Sequence, residues 1–360
     1  MKRATPYDSM PSYAFWRRSV ASVPPGDLDP IVRAPYRLTP HDKIATAGSC
    51  FAQHISRYLA QHDCDYFVTE KAHPLVAPEA AGKYNYGTFS ARFGNLYTSR
   101  QLLQLIKRAY GEFKPQDDIW ESAGRFIDPF RPQIQPGGFS SREEFYADRE
   151  QHFAKVRQMF EEADVFVFTL GLTECWHSTV DGAVYPLCPG VAGGEFDPSI
   201  HRFVNLTAAE VESEMKEAID SIRSRNPKIK VLLTVSPVPL IATAEDRHVL
   251  VSTVYSKSVL RVAAEGVCKT LSEVAYLPSY EIITSQASRG GYFADDLRSV
   301  GENGVAHVMT LVFKHYFGMD IGQKPNREGT SIKRMLEPTV DTEMVRLVEV
   351  NCEEEALDRH

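Results

Sequence analysis

The sequence predicts an α/β protein built on a mostly parallel sheet with helices covering both faces. Three observations carry this prediction. Short apolar runs of strand length alternate with longer segments of helical spacing. The runs at residues 43–47, 164–170, 230–236 and 274–277 lack polar alternation, as strands buried on both faces do. Polar residues also collect just beyond these runs, where open α/β sheets place their ligands: Ser49/Cys50, Thr173/Glu174, Ser236 and the segment before Asp296.

Taken in order, residues 1–40 hold seven prolines and read as an extended arm, with Tyr13, Phe15 and Trp16 available to anchor it. The run at 43–47 is a first strand. Directly after Gly48-Ser49-Cys50 comes a helix whose Phe51, Ile55, Tyr58 and Leu59 share a face. Residues 66–69 read as a second short strand. An irregular stretch containing Asn85-Tyr86-Gly87-Thr88-Phe89 leads into a helix at 99–109. Dense proline and glycine between 112 and 140 predict a surface excursion. Ser141 and Glu144 fit a capping box that opens a helix running to about residue 162. The third strand is 164–170, and 175–203 reads as loop. A helix at 207–225 carries acidic residues in its first turn, as the helix dipole favours. The fourth strand, 230–236, is stopped by Pro237 and Pro239. A long helix at about 244–272, a strand at 274–277, an irregular stretch at 281–296 and a last core helix at 301–313 complete the body.

Bulk properties narrow the class. A chain of 360 residues with 43% hydrophobic and 24% charged residues builds a sizeable core, and disorder is not expected. A net charge of −7 and a pI of about 5.9 argue against a nucleic-acid or anionic-membrane surface. The first 40 residues lack the apolar run of a signal peptide, and no stretch approaches the roughly 18 apolar residues of a membrane span. Six cysteines without a CxxC pair suggest reduced thiols in a cytoplasmic protein. A GxGxxG motif is absent, which lowers a dinucleotide reading. Cys175, His177 and Cys188 fall short of four metal ligands at a recognised spacing, so no metal or cofactor is expected. The boundaries expected are an arm at 1–40, a main domain at 41–320 and a polar, acidic tail at 321–360.

The strand-to-helix turn at Gly48-Ser49-Cys50 is the sharpest chemical signal. It puts Ser49 or Cys50 at a helix N-terminus, where free N–H groups and the helix dipole hold an anion, stabilise a thiolate or form part of an oxyanion hole. The plain alternative is a glycine that allows the turn, a serine cap and a buried cysteine.

Gly48-Ser49-Cys50-Phe51-Ala52 spells the signature of the GSCFA-domain family. Gly171-Leu172-Thr173-Glu174, Thr234-Val235-Ser236-Pro237-Val238 and Pro278-Ser279-Tyr280-Glu281 also resemble that family, over about residues 41–320. The family in turn looks like a relative of the SGNH, or GDSL-type, hydrolases. That resemblance implies a three-layer α/β/α sandwich of flavodoxin-like topology that acts on ester groups of glycans, lipids or small acyl compounds. Carried over residue by residue, it puts Cys50 at the nucleophile position with Ser49 beside it. It makes Gly87, near Asn85, the glycine whose amide helps hold the oxyanion. Thr173 stands in place of an asparagine donor, with Glu174 next to it. It also places the terminal Asp-x-x-His motif on Asp296-Leu297-Arg298-Ser299, so a serine stands where the base belongs.

A cysteine nucleophile still profits from a base. His54, one turn below Cys50 on the same helix, and His248, just past the fourth strand, are the candidates, with His307 too far along its helix. Asp296 is expected to orient the base or hold a substrate hydroxyl, or simply to cap its loop. Lys257 is a possible oxyanion or phosphate partner, although a lysine on a long helix is more often solvated. The resemblance thus implies an acyl hydrolase or acyltransferase acting on an acylated carbohydrate or related small ester. The alternative is a non-catalytic glycan- or metabolite-binding protein, or a partner in polysaccharide assembly, on the same fold. Oligomeric state is left open.

Overall fold

The computed structural model describes residues 5–321 and 353–358. β1 (Ile44–Gly48) is followed by α1 (Phe51–Gln61), α2 (Pro78–Lys83) and α3 (Ser99–Ala109). A hairpin of β2 (Trp120–Ser122) and β3 (Arg125–Ile127), then α4 (Arg142–Glu162), leads to β4 (Val165–Leu170). Next come β5 (Glu174–Ser178), β6 (Val184–Tyr185), β7 (His201–Asn205), α5 (Ala208–Arg223) and β8 (Lys230–Val235). α6 (Val249–Thr270), β9 (Val274–Leu277), α7 (Ser279–Thr284) and α8 (Glu302–Val312) complete the body. A 3-10 turn, Glu353–Asp358, packs onto it.

β1, β4, β8 and β9 pair in that order, all parallel, with Gly48 opposite Thr169 and Leu170 opposite Val235. Tyr66 adds a parallel bridge to Ile44, giving the 2-1-3-4-5 order of a flavodoxin-type sheet with its second member reduced to one bridge. The strand expected at 66–69 ends there because Thr69 turns away. Its N–H goes to Ser90 O at 2.8 Å and its hydroxyl to Lys155 O at 2.9 Å.

The apolar strands split by pleat into two cores. Phe166, Phe168 and Leu170 of β4 pack with α3, α4, α5 and α6 on one side. Val165 and Val167 pack with Phe51, Ile55 and Leu59 of α1 and with α8 on the other. Helices therefore cover both faces, which is the three-layer sandwich the sequence predicts.

Helix starts follow local chemistry. Thr98 and Thr207 form capping boxes with Gln101 and Glu210. Ser141 accepts from the Glu144 amide, but the Glu144 carboxylate reaches back to the Ser140 amide rather than to Ser141. α6 opens at Val249, later than expected. Pro237 and Pro239 keep the preceding segment irregular, and His248 caps the helix.

Three further expectations change. Residues 175–203, read as loop, carry the antiparallel sheet β6-β5-β7. The excursion at 112–140 contains the β2–β3 hairpin. In the arm, Tyr13 and Trp16 are exposed, and the anchors are Leu28, Ile31, Tyr36 and Leu38 instead. The Tyr36 hydroxyl donates to Val231 O at 2.8 Å, and the Leu38 amide to Tyr316 O at 2.9 Å.

Candidate functional site

The C-terminal ends of β1, β4 and β8 converge on a small enclosed cavity. Ser49, Cys50, Tyr97, Ser236, Lys257 and Glu354 are among the residues that line it. Its volume of about 10 Å³ holds one water-sized group.

The backbone there admits little alternative. Gly48 has φ +133°, and a Cβ on it would sit 2.3 Å from Thr169 O and 2.7 Å from Thr169 N. A side chain at this position would separate β1 from β4, so only glycine ends the strand here. Gly171 is pressed from the other side, where an added Cβ would lie 3.0 Å from Ser49 Cβ and 3.1 Å from Tyr97 O. The Gly171 and Leu172 amides donate to that same Tyr97 carbonyl at 2.9 and 3.1 Å. The Leu96 amide donates to Gly48 O at 2.8 Å. The segment 94–97 is thereby stitched alongside the turn at Gly48-Ser49-Cys50.

Cys50 is the N-cap residue of α1 and is 3% exposed. Its sulfur thus lies at the positive end of the helix dipole, which favours a thiolate. Ser49 is equally buried, and its Oγ has no hydrogen-bond partner among the described residues. A buried hydroxyl left in that state costs free energy that an incoming polar group recovers.

The principal cation of the cavity is Lys257. It sits on the inward face of α6 with Ser256, Leu260, Ala264 and Val267, and is 2% exposed. Its Nζ donates to Gly171 O at 2.5 Å. Burial pushes its ammonium down to about 8, against the opposing pull of Glu354 and Cys50. The lysine is therefore poised to hold or release a proton near neutral pH, next to a cysteine. The expectation of a solvated lysine is overturned. Its signal was present in the sequence, since Lys257, Leu260, Ala264 and Val267 fall at helical spacing on one apolar face.

Glu354 enters from the C-terminal turn. Its carboxylate pairs with Arg298 Nη2 at 2.7 Å, and burial raises its pKa against the pull of Arg298 and Lys257. Arg298 Nε also donates to Pro239 O at 3.2 Å. Glu353, beside it, accepts from the Asn95 amide at 3.4 Å, and burial pushes its carboxyl up to about 7.

Several residues named from sequence lie elsewhere. His248 is exposed, and its Nδ1 accepts from the Leu250 amide at 3.1 Å, so the ring caps α6 rather than lining the cavity. His54 takes a hydrogen bond from Arg57 Nη2 at 3.0 Å on Nδ1. Burial and the Arg57 charge push its imidazole down to about 4. The ring lies tilted against Phe51, with centroids 5.8 Å apart, and is absent from the cavity wall. Asp296 is an exposed loop cap that accepts from the Arg298 and Ser299 amides and from the Ser299 hydroxyl.

Asn85 and Gly87 belong to the turn around Arg92, whose Nε donates to Tyr84 O at 3.0 Å. The Asn85 amide group reaches Gln133 O at 3.4 Å, and neither residue lines the cavity. Thr173 is fully buried. Its hydroxyl donates to Asn205 Oδ1 at 2.6 Å and its amide to Ser256 Oγ at 3.0 Å, so it fastens β5 to β7 and α6. Glu174 accepts from Thr243 Oγ1 at 2.7 Å, and burial raises its pKa. It faces a second, apolar cavity of about 290 Å³ next to the first, walled in part by Leu172, Trp176, Leu187, Phe203 and Leu240. His307 is buried on α8 against Tyr292, 2.8 Å from its hydroxyl.

Among the described residues, no three of His, Cys, Asp and Glu gather where they could hold a metal ion. The cysteines described, Cys50, Cys64, Cys175, Cys188 and Cys268, are free thiols. No helix among the described residues is long and apolar enough to cross a membrane.

Comparison with curated proteins returns no match. The sequence profile of the GSCFA family matches residues 43–311, which span β1 to α8 and contain Cys50, Lys257 and Arg298. The match covers most of the chain, and the chain belongs to the GSCFA family.

Proposed function

We propose that this protein is an SGNH-like acyl hydrolase or acyltransferase that works through a thioester on Cys50, with Lys257 as its base. The observation that carries the reading is Lys257 itself. It is a buried amine with its pKa pushed to about 8, sharing a cavity with a cysteine at a helix N-terminus. This pairing supplies what the missing histidine at Ser299 would otherwise provide.

The neutral Lys257 amine takes the Cys50 thiol proton, and the sulfur attacks the acyl carbon. Negative charge on the carbonyl oxygen is stabilised at the N-terminal end of α1. The Lys257 ammonium then returns the proton to the departing alkoxide, leaving an acyl-cysteine. Water or an acceptor hydroxyl attacks the thioester in turn, with Lys257 again accepting the proton; the carbon–sulfur bond breaks, and the released Cys50 thiolate takes that proton back from Lys257. By resemblance, the substrate is an acylated carbohydrate or related small ester. A reducing, cytoplasmic setting suits the mechanism because it keeps Cys50 a thiol.

The test uses p-nitrophenyl acetate and p-nitrophenyl octanoate with intact-mass detection of the acyl adduct. The expected adduct maps to Cys50, disappears in Cys50→Ala and persists in Ser49→Ala. An adduct that survives in Cys50→Ala and is lost in Ser49→Ala would overturn the assignment.

One observation favours a second reading, a binding protein that has lost its chemistry. Neither His54 nor His248 reaches the cavity, and Glu354 lines it. Absence of any adduct with both esters, in a folded protein, would favour that reading.

A further inference from the structure

The two cavities are neighbours. Leu172, Leu240 and Glu354 line both, so they form the wall between the polar cavity at Cys50 and the apolar one lined by Trp176, Leu187 and Phe203. The C-terminal turn meets this pair of cavities in a particular way. Glu354 lies within the electrostatic reach of Lys257 and pairs with Arg298, while Leu357, three residues on, lies against the apolar cavity. An anionic oxygen pair followed by an aliphatic group is thus presented from Cys50 outward. Few buried carboxylates are tolerated unless paired, and this one pairs with Arg298 and also feels the charge of Lys257 in the polar cavity.

We propose that the adjoining cavities bind a medium-length aliphatic acyl group, with its carboxyl end at Lys257 and Arg298 and its chain in the apolar cavity, and that in the unliganded chain Glu354 holds the anion position while Leu357 lies against the chain position. The inference names the acyl group for the reaction proposed above and rests on that reading for its meaning. The site itself is a matter of binding and is testable without turnover. A volume of about 290 Å³ is at the low end for small-molecule sites and suits an aliphatic chain better than a sugar. The cavity wall has no charged side chain other than Glu174 and Glu354, so affinity there comes from apolar area removed from water. A carboxylate end gains charge-assisted contacts with the lysine and arginine.

The test is calorimetric titration of the full chain with octanoate, acetate and octanol. Octanoate is expected to bind at least tenfold more tightly than either of the others, because it alone satisfies both cavities. Leu187→Arg, at a residue that lines only the apolar cavity, should weaken octanoate at least tenfold without changing acetate. Glu354→Gln should strengthen octanoate severalfold, because the internal competitor loses its charge. Acetate binding as tightly as octanoate would overturn the chain site, and octanol binding as tightly would overturn the anion site. Octanoate affinity that is unchanged in Glu354→Gln would overturn the role of the tail. The comparison among the three ligands needs no variant, so a misfolded variant does not remove the test. Failure of these arms, with the ester adduct on Cys50 intact, would leave the thioester reading standing.

Discussion

Around Asp128, buried charges meet opposite charges at hydrogen-bond distance, whereas around Lys257 burial is only partly answered. In the first region Arg131 reaches Asp128 at 2.9 Å and Asp148 at 2.8 Å, and Arg92 reaches Asp148 at 2.9 Å. Arg149 reaches Asp128 at 3.2 Å, and His152 meets Glu70 at 2.7 Å. Burial alone would raise the acids, but the cations win. The hydrogen bond from His152, whose own imidazole burial pushes down, acts with the charges of Arg131 and Arg92 to hold Glu70 down to about 2, and Arg149 and Arg131 hold Asp128 well below the usual carboxylate range. In the second region the balance runs the other way. Burial pushes Lys257 down to about 8 and raises Glu354, despite their mutual attraction. The first arrangement fixes its protonation and ties α4 to the loops that surround it. The second keeps groups close to changing their protonation, which is the condition general acid–base chemistry requires.

The comparison breaks most visibly if the charges of the first region prove dispensable. Asp128→Ala removes the buried carboxylate that Arg131 and Arg149 share, leaving them only Asp148 and Asp118, and should cost about 3–5 kcal/mol in urea unfolding. A cost below about 1 kcal/mol would mean that the network is not the structural element described here.

Lys257→Met is the matching change in the second region. Because the charged form is already disfavoured there, stability should fall by only about 1–3 kcal/mol, for the Gly171 carbonyl left without its donor. Acylation of Cys50 by p-nitrophenyl octanoate should nonetheless fall by about two orders of magnitude or more. Loss of stability without loss of acylation would reverse the assignment of the two regions.

A smaller effect concerns the C-terminal turn. Glu353 faces the Asn95 amide with Glu354 as its neighbour, and burial raises its pKa from the ordinary range to about 7. A carboxyl whose docked pKa is raised contributes docking stability that is present at low pH. That contribution is lost as pH climbs from the ordinary carboxylate value through about 7. Amide exchange of residues 353–358, corrected for intrinsic rate, should accelerate on the order of tenfold between pH 5.5 and pH 8. Glu353→Gln should flatten that dependence, whereas a flat profile in the unaltered chain would show that Glu353 does not report on docking.

Much of the sheet was legible because buried parallel strands are written locally, as apolar runs such as Val165-Phe166-Val167-Phe168. Gly48-Ser49-Cys50 was legible for the same reason, since a strand that meets a helix with no loop has few ways to turn. The β5–β6–β7 sheet was not. Its strands mix polar and apolar residues, as in Glu174-Cys175-Trp176-His177-Ser178, and are joined through glycine-rich segments whose pairing is set by distant contacts. The site was half legible. His54, His248, Asp296 and Thr173 follow strand ends or share the helix of Cys50, but their hydrogen bonds go to Arg57, a helix start, a loop and Asn205. Lys257 had a signal in its helical spacing, outweighed by the general solvation of lysines. Glu354 had none, because nothing local records that a chain end returns to a cavity.

The most direct test of the account is the ionisation of Cys50, followed by ultraviolet thiolate absorbance as the difference between the unaltered chain and Cys50→Ala across pH. This measurement does not require a reagent to reach a buried sulfur. The account predicts a thiolate that forms below the ordinary thiol value of about 8.5 and a midpoint that rises in Lys257→Met. A Cys50 that ionises at or above the ordinary value, with the same midpoint in Lys257→Met, would contradict it and leave Cys50 a structural thiol.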